Sequence, residues 1–306
     1  MTTGDNSSHD HTKRSPVGSV LIPAHNESAV IGRCLDTLFN GIESTDLEVV
    51  VVCNGCHDDT AAAARASGHP VRVIELEIAS KTAALRAGDQ QLQAFPRLYL
   101  DADVLLPGPV ALRVLTHLAQ GAVAARPPFR YESTHSSALV RRYYRARSQV
   151  PAVLGSIWGA GVYGLSESGR ARFGDYPDVV ADDLFVDRCF APDEIDIVGD
   201  QPVVVMAPAN YRDLLNVMRR AYRGAAERHS DADGSVTMSA DGKPTTLATL
   251  RDVLGLCRRP AGFVDAMTYG FVAVSARAYV TLGRSARWER DESSRTATAP
   301  ISGTDS

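Results

Sequence analysis

The chain lacks any uninterrupted apolar run of about 20 residues, the length a helix needs to cross a bilayer. No spanning helix is therefore expected among its 306 residues. The nearest approach, Gly262 to Leu282, is interrupted by Asp265 and Arg277. It reads as an amphipathic helix that packs on the domain or rests at a membrane surface, with domain packing favoured. A dominant basic field is also missing. Lys and Arg number 32 against 36 Asp and Glu, for a net charge of −4 and a pI near 6.1, so nucleic acid is not an expected partner. Cysteine is scarce and odd in number: Cys34, Cys53, Cys56, Cys189 and Cys257. No secretory signal precedes them, so reduced thiols in a cytoplasmic compartment are expected. Cys53-Asn-Gly-Cys56 has CxxC spacing but no second ligand pair for zinc. Two packing cysteines flanking a turn are favoured over a redox pair. No G-x-G-x-x-G follows the first apolar run, which removes a dinucleotide oxidoreductase. There is no internal repeat.

What is present suffices for a core, since 44% of the residues are hydrophobic. Residues 1–16 are polar and read as a disordered arm, and residues 285–306 read as a loose polar tail. Between them the first hundred residues alternate. Strands are expected at Gly18–Ile22, Leu47–Cys53, Val71–Leu76 and Arg97–Leu100. Helices are expected at Glu27–Leu38, Asp59–Ser67 and Lys81–Ala94, with Asp58 or Asp59 in the first turn of the second. Leu47–Cys53 is nearly all apolar, as for a strand covered on both faces. The rhythm predicts an α/β fold with a doubly wound, mostly parallel sheet.

Beyond Pro109 the pattern loosens. Helices are expected at Val110–Leu118, Arg141–Arg147 and Tyr211–Ala226, and strands at Ala122–Arg126, Trp158–Leu165 and within Ile195–Met206. Asp178–Phe190 carries an acidic cluster followed by a helix. Asp231–Asp241 reads as a polar hairpin or loop, and residues 231–284 as that loop with C-terminal helices.

Four groups end at one edge of the expected sheet: Pro23 to Glu27, Asn54 to Thr60, Lys81, and Asp101 to Asp103. Each alone has a bland explanation as a turn, a solvated lysine or a cap. Together they stand where open α/β sheets bind ligands, at the carboxyl ends of strands. Asp101 and Asp103 follow an apolar strand, and in an extended chain residues two apart face the same way. Two carboxylates so placed suit a hard divalent cation that keeps other positions for water and phosphate. Asp182-Asp183 is a second acidic pair, suited to general-base work or to a helix N-terminus. Arg220 and Arg223 share a helix face with each other, as phosphate clamps or as a solvated basic face. Arg141–Arg147, with Tyr143 and Tyr144, would face an anionic lipid carrier or water.

With these residues in place the chain resembles the family 2 glycosyltransferases of the GT-A fold, over roughly residues 17–230. VLIPAHNE, VVVVCNGCHDDT, KTAALRAG, LYLDAD, WGAGVYGLS, VVADDLFVDR and RRAYRG carry the resemblance, in the family's order. It implies a catalytic domain with a nucleotide-binding half at about 17–108 and an acceptor half at about 109–230. The implied reaction is an inverting transfer from a nucleotide sugar, a UDP-sugar first, with Mn2+ or Mg2+. The acceptor would be a glycan, a lipid-linked molecule or a small molecule, in envelope or polysaccharide biosynthesis. Pro23, Ala24, Asn26 and Glu27 would line the nucleoside pocket, with Asn54 where the family often has Asp, followed by Asp59. Lys81, Asp101, Ala102, Arg220 and Arg223 would meet the nucleotide, and Asp101 and Asp103 the metal. Trp158, Gly159, Ala160 and Gly161 would lie by the donor sugar and acceptor. Asp182 or Asp183 would be the catalytic base. The Q-x-x-R-W motif of the membrane-embedded polymer synthases is not evident, so a processive synthase is not expected. The cytoplasm is the expected location, with a peripheral membrane contact through 262–282.

Two other readings compete. A sugar-phosphate nucleotidyltransferase would show a Gly-rich basic loop after the first strand, whereas Pro23 to Glu27 has no Gly and carries an acid. A degenerate binding or scaffold protein would have lost Asp-x-Asp or the acidic pair, and both are present.

Overall fold

A computed structural model describes residues 15–226 and 260–282. Its first part is the expected alternation: β1 (Gly18–Ala24), α1 (Ile31–Phe39), β2 (Leu47–Asn54), α2 (Thr60–Ala66), β3 (Val71–Leu76), α3 (Lys81–Asp89) and β4 (Arg97–Leu100). Then come α4 (Gly108–Ala119), β5 (Ala124–Arg126), β6 (Phe129–Glu132), α5 (Ala138–Arg147), α6 (Pro151–Leu154), β7 (Val162–Leu165), α7 (Glu167–Arg170), α8 (Asp182–Asp187), β8 (Ile195–Ile197), β9 (Val203–Met206) and α9 (Tyr211–Ala226). A last helix, α10, spans Pro260–Leu282.

Seven strands form one sheet in the order β3-β2-β1-β4-β7-β5-β8. The first four pair in parallel. β7 is inserted antiparallel to both β4 and β5, and β5 is again parallel to β8. β6 and β9 make a separate parallel pair. The sheet is thus mostly parallel, as the apolar runs predicted. Side chains alternate across it. Val20 and Ile22 point into a core shared with Ile31 and Leu35 of α1 and with Val114 and Leu115 of α4. Leu21, Val50 and Val52 point the other way, onto Ala84 and Leu85 of α3. A satellite core joins α5, α9 and α10 through Val140, Tyr143, Leu214 and Val272.

Several expected boundaries shift for identifiable reasons. β1 runs through Pro23 instead of breaking there. β1 pairs with β4 only as far as Leu21, so the proline lies past that ladder, where its missing N–H removes no bond to β4. α1 starts at Ile31, not Glu27: residues 28–30 form a turn in which the Val30 and Ile31 N–H groups both return to Glu27 O (3.0 and 2.9 Å), while the Glu27 and Ser28 N–H groups bond Thr60 Oγ1 (2.7 Å) and Asp58 Oδ2 (3.2 Å) of the neighbouring loop. α3 stops at Asp89 rather than Ala94. The Gln93 and Ala94 N–H groups, which a longer helix would send to the carbonyls four residues back, go to Glu48 Oε2 at 2.8 and 2.9 Å, and Arg97 takes the Asp89 carbonyl at 3.1 Å. Residues 158–161 are turn, and the strand expected from Trp158 begins at Val162. The loop expected at 231–241 and the polar tail lie outside the described residues.

Gly262–Leu282 is helical, as its pattern suggested, and it packs on α5 and α9. Arg145 Nε meets Asp265 Oδ2 at 2.8 Å, and the Tyr143 and Tyr269 rings stack 5.2 Å apart. Among the described residues no helix is long and apolar enough to cross a membrane.

Candidate active site

The carboxyl ends of β1 and β4 meet at one cleft. Beside it, at the same sheet edge, the loops after β1 and β2 are sewn to each other. Asn26 adopts a left-handed conformation (φ 51°), which a short amide side chain tolerates. Its Oδ1 accepts the His57 N–H at 2.7 Å. Glu27 and Ser28 donate to Thr60 and Asp58 as above, and Asp58 Oδ1 also takes the Thr60 N–H at 3.1 Å. Asp58, rather than Asp59, therefore binds the start of α2. Asp59 occupies the cap position with its side chain unbonded there and exposed. Asn54 is buried. The surrounding donors and acceptors assign its amide nitrogen to Ala24 O (2.8 Å) and its oxygen to the Ser80 N–H (3.2 Å), so it ties β1 and β2 to the start of α3. Cys53 and Cys56 are both free thiols, Cys53 in the core and Cys56 packed against it.

Lys81 opens α3 and reaches into the cleft. Its Nζ lies 2.7 Å from Asp101 Oδ1 and 2.9 Å from Asp182 Oδ1. Burial pulls the ammonium's pKa down, but Asp101, Asp182 and Asp183 outweigh it and hold the pKa above the ordinary lysine value. Asp182 is nearly enclosed, its side chain 4% exposed. Its Oδ2 is buried without a hydrogen-bond partner. Asp183 accepts the Gly159 N–H at 3.0 Å and its neighbour Leu184's N–H at 2.8 Å. Burial first, then the Asp182 charge, raise its pKa from 3.8 to about 6, against the pull of Lys81 and the Gly159 N–H. The two acids are thus distinguished by their partners: one is ion-paired, the other is a hydrogen-bonded carboxyl poised near neutrality.

The Trp158–Gly161 segment is buttoned across the same cleft. Asp187 takes the Ile157 N–H at 2.8 Å, Asp183 takes that of Gly159, and Gly161 O accepts the Asp101 N–H at 2.8 Å. Gly161 has φ +66°, and a Cβ there would stand 2.5 Å from Val104 Cγ2 and 3.3 Å from Asp101 Oδ2. Only glycine lets this loop lie against the acid. Pro23, Lys81, Asp101, Gly161, Asp182 and Asp183 all line the cleft.

Some expectations meet a different geometry. Asp101 and Asp103 are not on an extended strand: Leu100 ends β4, and the Val104 N–H returns to Asp101 O at 3.0 Å, closing a turn. The same-side argument for the two carboxylates therefore does not apply. Asp101 is half-buried on Lys81, Asp103 is exposed, and Ala102 between them is buried in the core. Tyr143 and Tyr144, expected to face lipid or water with their helix, are instead buried. The backbone of Arg220 and Arg223 is in α9, as expected, and their side chains lie outside the described part. Tyr99 and Tyr163 also line the cleft and were missed. Both are strand residues whose apolar neighbours gave them the look of plain core. Tyr99 is anchored by Asp89 at 2.9 Å, and Tyr163 contacts the Tyr176 hydroxyl at 3.2 Å.

Comparison with known proteins agrees with this arrangement. Residues 19–161 match the model of "Glycosyl transferase family 2". No curated protein matches the chain. Among solved structures, a mannosyltransferase from Pyrobaculum calidifontis in complex with GDP-mannose and Mn2+ is similar at 20% identity and a TM-score of 0.59, over 88% of this chain and 79% of that one. Glucosyl-3-phosphoglycerate synthase from Mycobacterium tuberculosis, in complex with Mn2+, UDP and glucosyl-3-phosphoglycerate, gives 22% identity and a TM-score of 0.43 over 60% of this chain and 71% of that one. Residues 19–161 thus resemble glycosyl transferase family 2, and the chain as a whole shares the fold of the mannosyltransferase.

Proposed function

We propose that this protein moves a sugar from a nucleoside-diphosphate sugar to an acceptor hydroxyl by a single displacement with inversion, with Asp183 as the base. The observation that carries the assignment is the contrast between its two acids. Asp182 is committed to Lys81, while Asp183 has a pKa of about 6 and lines the open cleft. A base is most effective when its pKa lies near the working pH. In the step itself, the Asp183 carboxylate takes the hydroxyl proton. The oxygen forms a bond to the anomeric carbon, the bond from that carbon to the diphosphate breaks, and the electron pair leaves on the phosphate oxygen.

The sewn loops of Pro23, Ala24, Asn26, Glu27 and Asp59 form the nucleoside wall in this reading, with Asn54 holding them in place. Ala102 sets the turn beneath the ribose, and Lys81, Arg220 and Arg223 serve the diphosphate. Trp158, Gly159, Ala160 and Gly161 border the donor sugar, whose hydroxyls suit the unbonded Asp182 Oδ2. The excess negative charge at the cleft also suits a divalent cation. Three carboxylates, Asp101, Asp182 and Asp183, face the single ammonium of Lys81, so two negative charges are in excess when all are ionised. Asp101 and Asp103 are the residues that would hold Mn2+ or Mg2+, which supplies counter-charge to a diphosphate. A UDP-sugar is the first donor to try.

The outward face of α10 supports a peripheral contact with membrane lipid. Phe263, Met267, Phe271 and Val274 are 52 to 66% exposed at helical spacing. Flotation with anionic vesicles should carry the protein upward, and Phe271→Glu should release it. No flotation of the parent protein would remove this element.

The reaction is tested by incubating the protein with UDP-, GDP- and TDP-sugars and Mn2+, and following the anomeric proton of the released or transferred sugar by NMR. Inverted product from one donor is expected. Retained configuration would exclude the single displacement.

A further inference from the structure

Arg147 is a buried cation that no acid among the described residues answers. It ends α5 and is 7% exposed. Its Nε donates to Tyr131 Oη at 2.9 Å, and Nη1 reaches Tyr143 Oη at 3.5 Å. Its guanidinium stacks 4.8 Å from the Trp158 ring. Burial works against its charge, and the groups around it are the phenols of Tyr131, Tyr143, Tyr269 and Tyr144. No carboxylate pairs with it among the described residues. Of the three other arginines buried among the described residues, Arg97, Arg126 and Arg219, the first two are handled differently. Arg97 is paired with Asp89 at 2.8 Å, and Arg126 is exhausted on the carbonyls of Ser156, Pro127 and Leu154. A buried guanidinium held only by neutral groups retains donors that water would otherwise have satisfied.

The direction of the free donors is informative. Arg147 Nη2 has no partner among the described residues, and it lies 3.9 Å from the point where a Gly159 Cβ would stand. Gly159 in turn gives its N–H to Asp183 at 3.0 Å. With standard backbone dimensions, Nη2 and the Asp183 carboxylate are then within about 10 Å of each other. The Trp158 ring and two phenols fix the plane of the fork, which leaves one edge for a planar or tetrahedral oxyanion.

We propose that Arg147 is the anion-binding element of the acceptor site, and that the acceptor carries a phosphate or carboxylate which rests on Arg147 beside Gly159 while its hydroxyl meets Asp183. The assignment rests on the transferase reading for the role of Asp183, but binding of the anion does not depend on it. A span of this size places the anion and the reacting hydroxyl on one small unit. That unit is either a free phosphorylated or carboxylated molecule or the headgroup of a lipid phosphate.

The test uses the full chain and two variants, Arg147→Gln and Arg147→Lys, with thermal melting and titration calorimetry. The probes are sn-glycerol 3-phosphate, glycerol as the neutral control, phosphatidylcholine vesicles with and without phosphatidic acid, and UDP with Mn2+. Glycerol 3-phosphate should bind the parent saturably and glycerol should not. Arg147→Gln should weaken that binding by at least about tenfold, as expected for losing a charge-assisted contact, with UDP affinity unchanged. Arg147→Lys keeps the buried charge but not the fork, and should fall between the two. It decides the matter if the glutamine variant does not fold. Preference for the soluble phosphate identifies a free acceptor, and preference for phosphatidic acid vesicles identifies a lipid one. The proposal is overturned if neither phosphate binds the parent, if both variants bind phosphate as the parent does, or if they lose UDP in parallel with phosphate. The last outcome would make Arg147 a donor contact. Arg147-dependent phosphate binding without any nucleotide binding would leave the anion site standing and remove the transferase reading.

Discussion

Asp183→Asn should cut turnover severely without weakening the fold, a combination that separates a base from a structural acid. In the native protein the Asp183 carboxyl has its pKa raised from 3.8 to about 6. A group that holds its proton more tightly when folded contributes stability below the unfolded pKa and loses it as pH rises through the folded one. The native fold should therefore lose stability between about pH 4 and about pH 6 on account of this residue. Two pKa units correspond to roughly 3 kcal/mol as an upper bound. Asparagine removes that ionisation. It also turns one amide N–H2 toward either the Gly159 or the Leu184 N–H, forfeiting a hydrogen bond that the carboxylate accepts. That loss is about 1–3 kcal/mol, so the net change above pH 7 is expected between about zero and a gain of about 2 kcal/mol. Denaturant unfolding across this pH range measures it. The parent should show the decline and the variant should show less of it. Turnover should drop by about 100- to 10,000-fold, the usual contribution of a general base. The kcat/KM of the parent should rise with pH through about 6. A variant that keeps its activity, or one that loses more than about 3 kcal/mol of stability, would refute the reasoning.

Lys81→Met leaves Asp101, Asp182 and Asp183 facing one another. It should destabilise the protein by about 3 kcal/mol or more, and it should move the acid limb of the kcat/KM profile upward, since Lys81 lowers the Asp183 pKa. An unmoved limb would dissociate the lysine from the base. Gly161→Ala forces a Cβ into Val104 at φ +66° and should cost about 1–3 kcal/mol, read as a lower melting temperature, with reduced activity because the loop is displaced from Asp101. Asp103→Ala removes an exposed carboxylate. It should leave stability within about 1 kcal/mol while metal-dependent turnover disappears. Unchanged turnover would defeat the assignment of Asp103 to the metal.

The parallel half of the fold was legible because its strands are buried on both faces and so read as apolar runs with clean ends. β3 and β4 fall on their expected residues, Val71–Leu76 and Arg97–Leu100. The gathering of Pro23, Lys81 and Asp101 was legible for the same reason, since parallel strands end at one edge, whereas the acidic pair was tied to the site only through the resemblance. Details set by side chains from distant segments were not. Nothing local to Glu27 shows that the segment before α1 will be tied to Thr60 and Asp58 of the neighbouring loop. The turn at Asp101–Val104 is closed by its own backbone, against the extended reading that the preceding strand invited. β6 was overlooked because its partner, β9, lies about seventy residues further on, and a four-residue strand has little periodicity of its own. Arg147 looked like one of several helix-surface charges. Its burial follows from α10 and the β6 tyrosine packing over α5, which no local pattern encodes. The choice between Asp182 and Asp183 was equally undecided in one dimension. The proposed choice of Asp183 rests on the Lys81–Asp182 ion pair, which is formed from α3.

The most direct measurement of the central claim is a thermal-shift panel of the purified chain against UDP, GDP, CDP and TDP, each with and without Mn2+. A ligand held at about 100 times its dissociation constant stabilises the native state by about 2.7 kcal/mol, well within reach of the assay. The account predicts that one nucleotide raises the melting temperature and that Mn2+ is needed for most of the rise, with the metal-dependent part lost in Asp103→Ala. No shift with any nucleotide, with or without the metal, would contradict it.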